Sequence, residues 1–161
     1  YSKNHLYSYC GCDEGSYVSP GDSPVLVNIE GVNFGLTICY DIRFPEIYRA
    51  YRVAGADIFV NCAAWGAKKP VPWEVMTKSR AVENQTYMIA LTQSGYIDNG
   101  EYNLGESRII DYKGDVLTSI MKGEGIRTAD IYLEPMYDFR SMCTILSDIK
   151  NNYEVKVVCA K

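Results

Sequence analysis

Apolar and polar positions alternate along two neighbouring runs, Val25 to Ile29 and Val32 to Cys39, with Glu30-Gly31 between them. A period of two on either side of a glycine turn predicts a β-hairpin. The second run leads straight into Tyr40-Asp-Ile-Arg-Phe-Pro-Glu46, where Pro45 suits the first turn of a helix. Ile47, Ala50, Tyr51 and Ala54 then recur at i, i+3, i+4 and i+7, which predicts one apolar helical stripe with Gly55 at its C-terminal cap. Farther on, the pattern predicts a buried strand over 57–61, a helix over 73–85 and a third apolar strand over 87–92. Strands alternating with helices imply parallel neighbours joined by crossovers. After a turn at Asp98-Asn-Gly100 the spacing changes to an antiparallel meander over 107–111, 115–120 and 129–133, with Lys113-Gly114 as one turn. A short helix is expected after Pro135, and 153–158 reads as an arm or an edge strand. The fold class is therefore α/β with a mixed sheet.

Length and composition narrow the function classes. A chain of 161 residues buries one sizeable core and demands no second domain. A net charge of −4, with no basic run, argues against a nucleic-acid surface. No apolar stretch is long enough to span a bilayer, so no membrane partner is expected. Six cysteines at irregular spacing include no C-x-x-C pair, and His5 is the sole histidine. That composition favours reduced thiols in a cytoplasmic protein over a disulfide framework or a metal site.

One thiol stands apart. Cys39 ends an apolar strand and is followed at once by charged residues and a helix, which places it near a helix start on a rigid support. On the residues alone it reads either as a small buried hydrophobe or as a nucleophile. Backbone N–H groups at Tyr40 and Asp41 would suit a developing oxyanion. His5 carries no Cys-His signature around it, so a papain-like reading is poor. Lys3 by itself would be a solvated surface cation.

Four motifs occur in order: Tyr1-x-Lys3-x-His5-Leu6; Glu14 shortly before Pro20-Gly-Asp22; Gly35-x-x-Ile38-Cys39-Tyr40-Asp41-x-Arg43-Phe44-Pro45-Glu46; and a Trp73 followed by Arg80-Ala81-x-Glu83-Asn84-Gln85. Together they closely resemble the nitrilase superfamily of carbon–nitrogen hydrolases, in particular its omega-amidase-like members. The resemblance implies a four-layer αββα sandwich and a Glu–Lys–Cys triad needing no metal or organic cofactor. Cys39 matches the nucleophile, Lys3 the lysine that stabilises the tetrahedral intermediate, and Glu14 an accessory glutamate. The general-base glutamate precedes the lysine motif in the family, so residues 1–161 are expected to be the C-terminal portion of a single hydrolase domain.

Tyr40, Ala63, Ala64 and Trp65 are the expected substrate contacts, although core packing explains Trp65 equally well on physical grounds. Arg43, Arg80 and Glu83 are expected to brace the cysteine loop through ion pairs, or one of them to meet a substrate carboxylate. Glu106 stands where many relatives carry histidine. The implied activity is hydrolysis of a small amide to acid and ammonia through a cysteinyl thioester, in a homodimer or larger homo-oligomer. A nitrilase acting on a nitrile, or a binding module lacking its base, are the alternatives.

Overall fold

The computed structural model describes residues 1–97, 100–150 and 152–159, so the expected turn at Asp98-Asn-Gly100 lies largely outside the described residues. The hairpin forms as expected, from β1 (Leu26–Ile29) and β2 (Val32–Ile38). A 3-10 helix (Cys39–Arg43) follows β2 without a spacer and leads into α1 (Pro45–Val53). Next come β3 (Ile58–Ala63), α2 (Pro70–Asn84), β4 (Tyr87–Thr92), a small hairpin of β5 (Ser94–Tyr96) and β6 (Tyr102–Leu104), then β7 (Ser107–Ile110), β8 (Val116–Ile120) and α3 (Leu133–Met142). Six strands make one mixed sheet in the order β1-β2-β3-β4-β7-β8. The β2–β3 and β3–β4 pairs are parallel, and the outer pairs are antiparallel.

Period-two alternation assigns the two faces of the sheet. Phe59, Met88, Ala90 and Ile110 point into the main core with Tyr48 and Tyr51 of α1 and Trp73 of α2. Burying each large side chain there contributes about 1.5–3 kcal/mol. The opposite face is covered at one end, where Met136 and Phe139 of α3 pack on Ile58, Tyr87 and Tyr112. Cys62 and Leu91 on that face remain exposed.

The stripe of α1 differs from the expected one. Ala50 and Ala54 are exposed, and Ile47, Tyr48 and Tyr51 face the sheet. The tyrosines are accommodated because their hydroxyls find partners. The Tyr48 hydroxyl lies 2.8 Å from the Thr37 hydroxyl, and the Tyr51 hydroxyl donates to the Leu36 carbonyl and accepts from the Val25 N–H at 2.9 Å. Gly35 makes room for this packing, since a Cβ there would sit 2.9 Å from the Tyr51 ring.

One other expectation is corrected, and a second is narrowed from an arm or an edge strand to an arm. The segment 129–133 forms no strand: Ile131 and Leu133 satisfy their apolar character by packing against the second core cluster, and the helix starts at Leu133, before Pro135. Residues 153–158 are exposed and carry no strand. Arg140 fastens α3 to the sheet, pairing with Asp57 at 3.1 Å and donating to the Gln85 carbonyl at 2.8 Å.

Candidate active site

Cys39 does not belong to β2, as its alternation suggested. It opens the 3-10 helix with φ +45°, a left-handed conformation unusual for a residue with a side chain. Such a backbone costs about 1–2 kcal/mol, and here the surroundings over-determine it. β2 fixes the chain before the cysteine. After it, the Arg80 Nε of α2 donates to the Ile42 carbonyl at 3.0 Å, while the Arg80 guanidinium pairs with Glu83 at 2.7 Å. These contacts agree with the expected bracing role of Arg80 and Glu83. The thiol donates weakly to the Ala64 carbonyl at 3.9 Å. Burial pushes its pKa up, and the nearby Lys3 charge pulls it partly back.

A cavity of about 390 Å³ opens over this elbow. Of the expected site residues, it brings together Cys39, Lys3, Glu14, Tyr40, Ala64 and Trp65. Ala63 is the exception: it is buried in the main core and does not line the cavity, because successive residues of β3 point to opposite faces. Trp65 fulfils both of its readings. Its ring packs on Trp73 at 5.2 Å between centroids, its Nε1 donates to the Lys69 carbonyl at 2.7 Å, and it also lines the cavity.

Lys3 and Glu14 form a two-pronged ion pair, with Nζ 2.8 and 2.6 Å from the carboxylate oxygens. The Tyr7 N–H adds a third bond to Glu14 at 2.8 Å. Glu14 thereby orients the ammonium, and both of its oxygens are already engaged. Only about a tenth of the Lys3 side chain and a quarter of that of Glu14 are exposed, so solvent screens the pair weakly.

Several site residues escaped sequence reasoning. Tyr7 and Lys69 line the cavity, with Lys69 donating to the Tyr7 hydroxyl at 3.0 Å, a bond that favours its charged form. Arg43, expected to brace the cysteine loop or to meet a substrate carboxylate, forms no ion pair among the described residues and lines the cavity, its guanidinium over the Trp65 ring at 5.2 Å. Its Nε has no hydrogen-bond partner among the described residues. Glu106 lies outside the cavity lining and pairs with Arg108 at 2.7 Å, so the departure at this position does not shape the pocket wall. Asp41 is fully buried and holds His5 at 2.8 Å. No spacing rule links positions 36 residues apart. Among the described residues no cluster could hold a metal ion, and no helix is long and apolar enough to cross a membrane.

Comparison with known proteins matches residues 1–141 to the family model described as carbon–nitrogen hydrolase. The chain is 34% identical to the 2-oxoglutaramate amidase of Bacillus subtilis over 94% of this chain and 58% of that protein. It is 32% identical to the deaminated glutathione amidase of Escherichia coli O157:H7, over 92% and 56% respectively. A solved carbon–nitrogen hydrolase of Helicobacter pylori superposes with a TM-score of 0.82 at 26% identity, over 92% of this chain and 57% of that one. The chain thus spans about half the length of the curated relatives it matches.

Proposed function

This chain belongs to the carbon–nitrogen hydrolase family, among its omega-amidase-like members, and on that footing we propose that it carries the thiol half of an amidase site. The observation behind this reading is the meeting of Cys39, Lys3 and Glu14 at one cavity, although they come from separate segments of the chain. In the proposed reaction a carboxylate base takes the Cys39 proton and the thiolate attacks the amide carbon. Because burial holds the thiol pKa up, a base is needed at neutral pH. Lys3 and the N–H following Cys39 stabilise the oxyanion, a contribution of about 3–4 kcal/mol for a group of this kind. Ammonia leaves, and water then hydrolyses the thioester to the acid.

The base is assigned, by family resemblance, to a glutamate ahead of the lysine motif. Glu14 instead holds Lys3. The cavity is lined by Lys3, Arg43 and Lys69 against Glu14 and Glu101; Glu14 pairs with Lys3 and Glu101 with Lys68, whereas Arg43 and Lys69 form no ion pair among the described residues. That bias suits an amide carrying a carboxylate, such as the compound in the name of the 2-oxoglutaramate amidases. The protein is further read as a cytoplasmic homo-oligomer, its exposed Val71 and Val75 on α2 offering apolar surface for pairing.

The test is to incubate the full encoded protein with small ω-amides and hydroxylamine. A Cys39-dependent hydroxamate with release of ammonia supports the amidase. Turnover of nitriles but not amides, or activity that survives loss of Cys39, overturns it.

A further inference from the structure

Lys3 must sit within reach of the reacting carbon, yet nothing in the local backbone holds it there. The segment from Tyr1 to Tyr9 has neither helix nor strand. Its Lys3 carbonyl accepts the Gly21 N–H at 2.8 Å, Glu14 and Lys69 bond Lys3 and Tyr7, and the ties on either side of Lys3, at Tyr1 and His5, converge on one buried side chain. Asp41, two residues past the nucleophile, receives four hydrogen bonds. Its Oδ1 accepts the His5 backbone N–H at 2.9 Å and meets the His5 ring Nδ1 at 2.8 Å, which requires Nδ1 to carry a proton. Its Oδ2 accepts the Tyr1 hydroxyl at 2.7 Å and the Ile38 N–H at 2.9 Å. Tyr1 and His5 flank Lys3 by two residues on either side, and Ile38 immediately precedes Cys39. The His5 ring also stacks on Phe44 with centroids 3.7 Å apart, closing the same junction from the other side.

We propose that Asp41 is the positioning residue of this site: its buried carboxylate clamps both flanks of Lys3 to the cysteine elbow and so fixes the distance between ammonium and thiol. The carboxylate reaches neither substrate nor the reacting atoms in this role. It acts through Lys3. Four accepted bonds also satisfy a charge that would otherwise be costly to bury. Asparagine cannot reproduce the arrangement, because in one orientation its NH₂ group faces the Tyr1 hydroxyl and the Ile38 N–H and in the other the His5 backbone N–H, and it cannot accept from any of them.

The role has a consequence of opposite sign to simple electrostatics. The charged groups around the Cys39 thiol are Lys3, Glu14 and Asp41, with Arg43, Lys69 and Glu101 lining the same cavity. Lys3 makes the thiol more acidic, while the negative charges of Glu14 and Asp41 make it less so. Removing Asp41's charge with Lys3 left in place would therefore speed alkylation at neutral pH. Releasing Lys3 would slow it.

The experiment measures the rate of Cys39 alkylation by iodoacetamide against pH, read by peptide mass spectrometry so that the other five cysteines do not interfere. Wild type, Asp41→Asn, Lys3→Met and the double variant are compared. The clamp predicts that Asp41→Asn moves the midpoint upward and slows alkylation at pH 7 by about threefold, the result of a shift near half a unit. It also predicts that Asp41→Asn adds no further upward shift in the Lys3→Met background, the coupling expected of residues acting as one unit. An unchanged or lowered midpoint in Asp41→Asn, or additive upward shifts in the double variant, overturns the clamp.

Tyr1→Phe keeps every charge near the thiol and removes one clamp bond, so it should move the midpoint upward by a smaller amount. Should Asp41→Asn fail to fold, this variant decides alone, and an unmoved midpoint rejects the proposal. The inference rests on the amidase reading for its purpose but not for its test. A protein that shows the alkylation pattern and turns over no amide refutes only the amidase reading.

Discussion

Cys39 is carried by regular structure on both sides, with β2 before it, α1 after it, and Arg80 of α2 fastened to the carbonyl of Ile42. Lys3 reaches the same cavity from a segment without helix or strand, tied down by Asp41, Glu14 and one backbone bond from Gly21. One half of the site is thus held by a packed core and the other by side-chain hydrogen bonds. The difference teaches where each half is vulnerable. Damage to the core should unfold the elbow together with the whole sheet, whereas damage to the lysine segment should misplace a charge in a protein that stays folded.

The sharpest test of this contrast is Cys39→Ala, which should lower amide turnover by about 10³-fold or more while leaving the melting temperature nearly unchanged. Retained turnover would remove the elbow from the chemistry altogether. Lys3→Met should reduce kcat by about 10²–10³-fold, the usual loss for an oxyanion donor, with little change in stability. A large loss of stability instead would show that the lysine segment is structural. Trp73→Ala should cost about 3–5 kcal/mol in urea denaturation, because Trp73 is fully buried between helix and sheet.

Gly21→Ala probes the weaker half alone. A Cβ at Gly21 would collide with the Ser2 carbonyl oxygen and crowd the Asn4 side chain. Turnover should fall by about tenfold through misplacement of Lys3, with the denaturation midpoint nearly unmoved. The smallest effect belongs to Leu91→Ala on the open face of the sheet. It should cost about 1 kcal/mol or less, since Leu91 is 43% exposed while its neighbour Met88 on the covered face is fully buried. Equal costs at the two positions would mean that the open face is covered in the protein as it exists in solution.

Much of the scaffold was legible in the sequence. The hairpin around Glu30-Gly31, Pro45 at the start of α1 and the strand Tyr87–Thr92 appear where the pattern places them. Their cues are local: alternation, a turn residue and a proline act within a few positions of the structure they specify. The helical stripe of α1 failed because periodicity treats alanine as core. It cannot foresee that Tyr48 would find hydroxyl partners at Thr37 and Asn61. The segment 129–133 failed because its apolar positions were answered by packing against α3 and the sheet, not by a ladder.

The sequence by itself determined the elements from β1 to β4 and from β7 to β8, the parallel centre of the sheet and the motifs that single out Cys39, Lys3 and Glu14. Tertiary structure decided what those residues do to one another: that Glu14 grips Lys3, that Ala63 turns into the core while Ala64 and Trp65 line the cavity, and that Asp41 binds Tyr1 and His5. The reason is physical. Alternation and caps depend on neighbours along the chain, whereas a charge held by residues some forty positions away depends on a register that exists only once the sheet has formed.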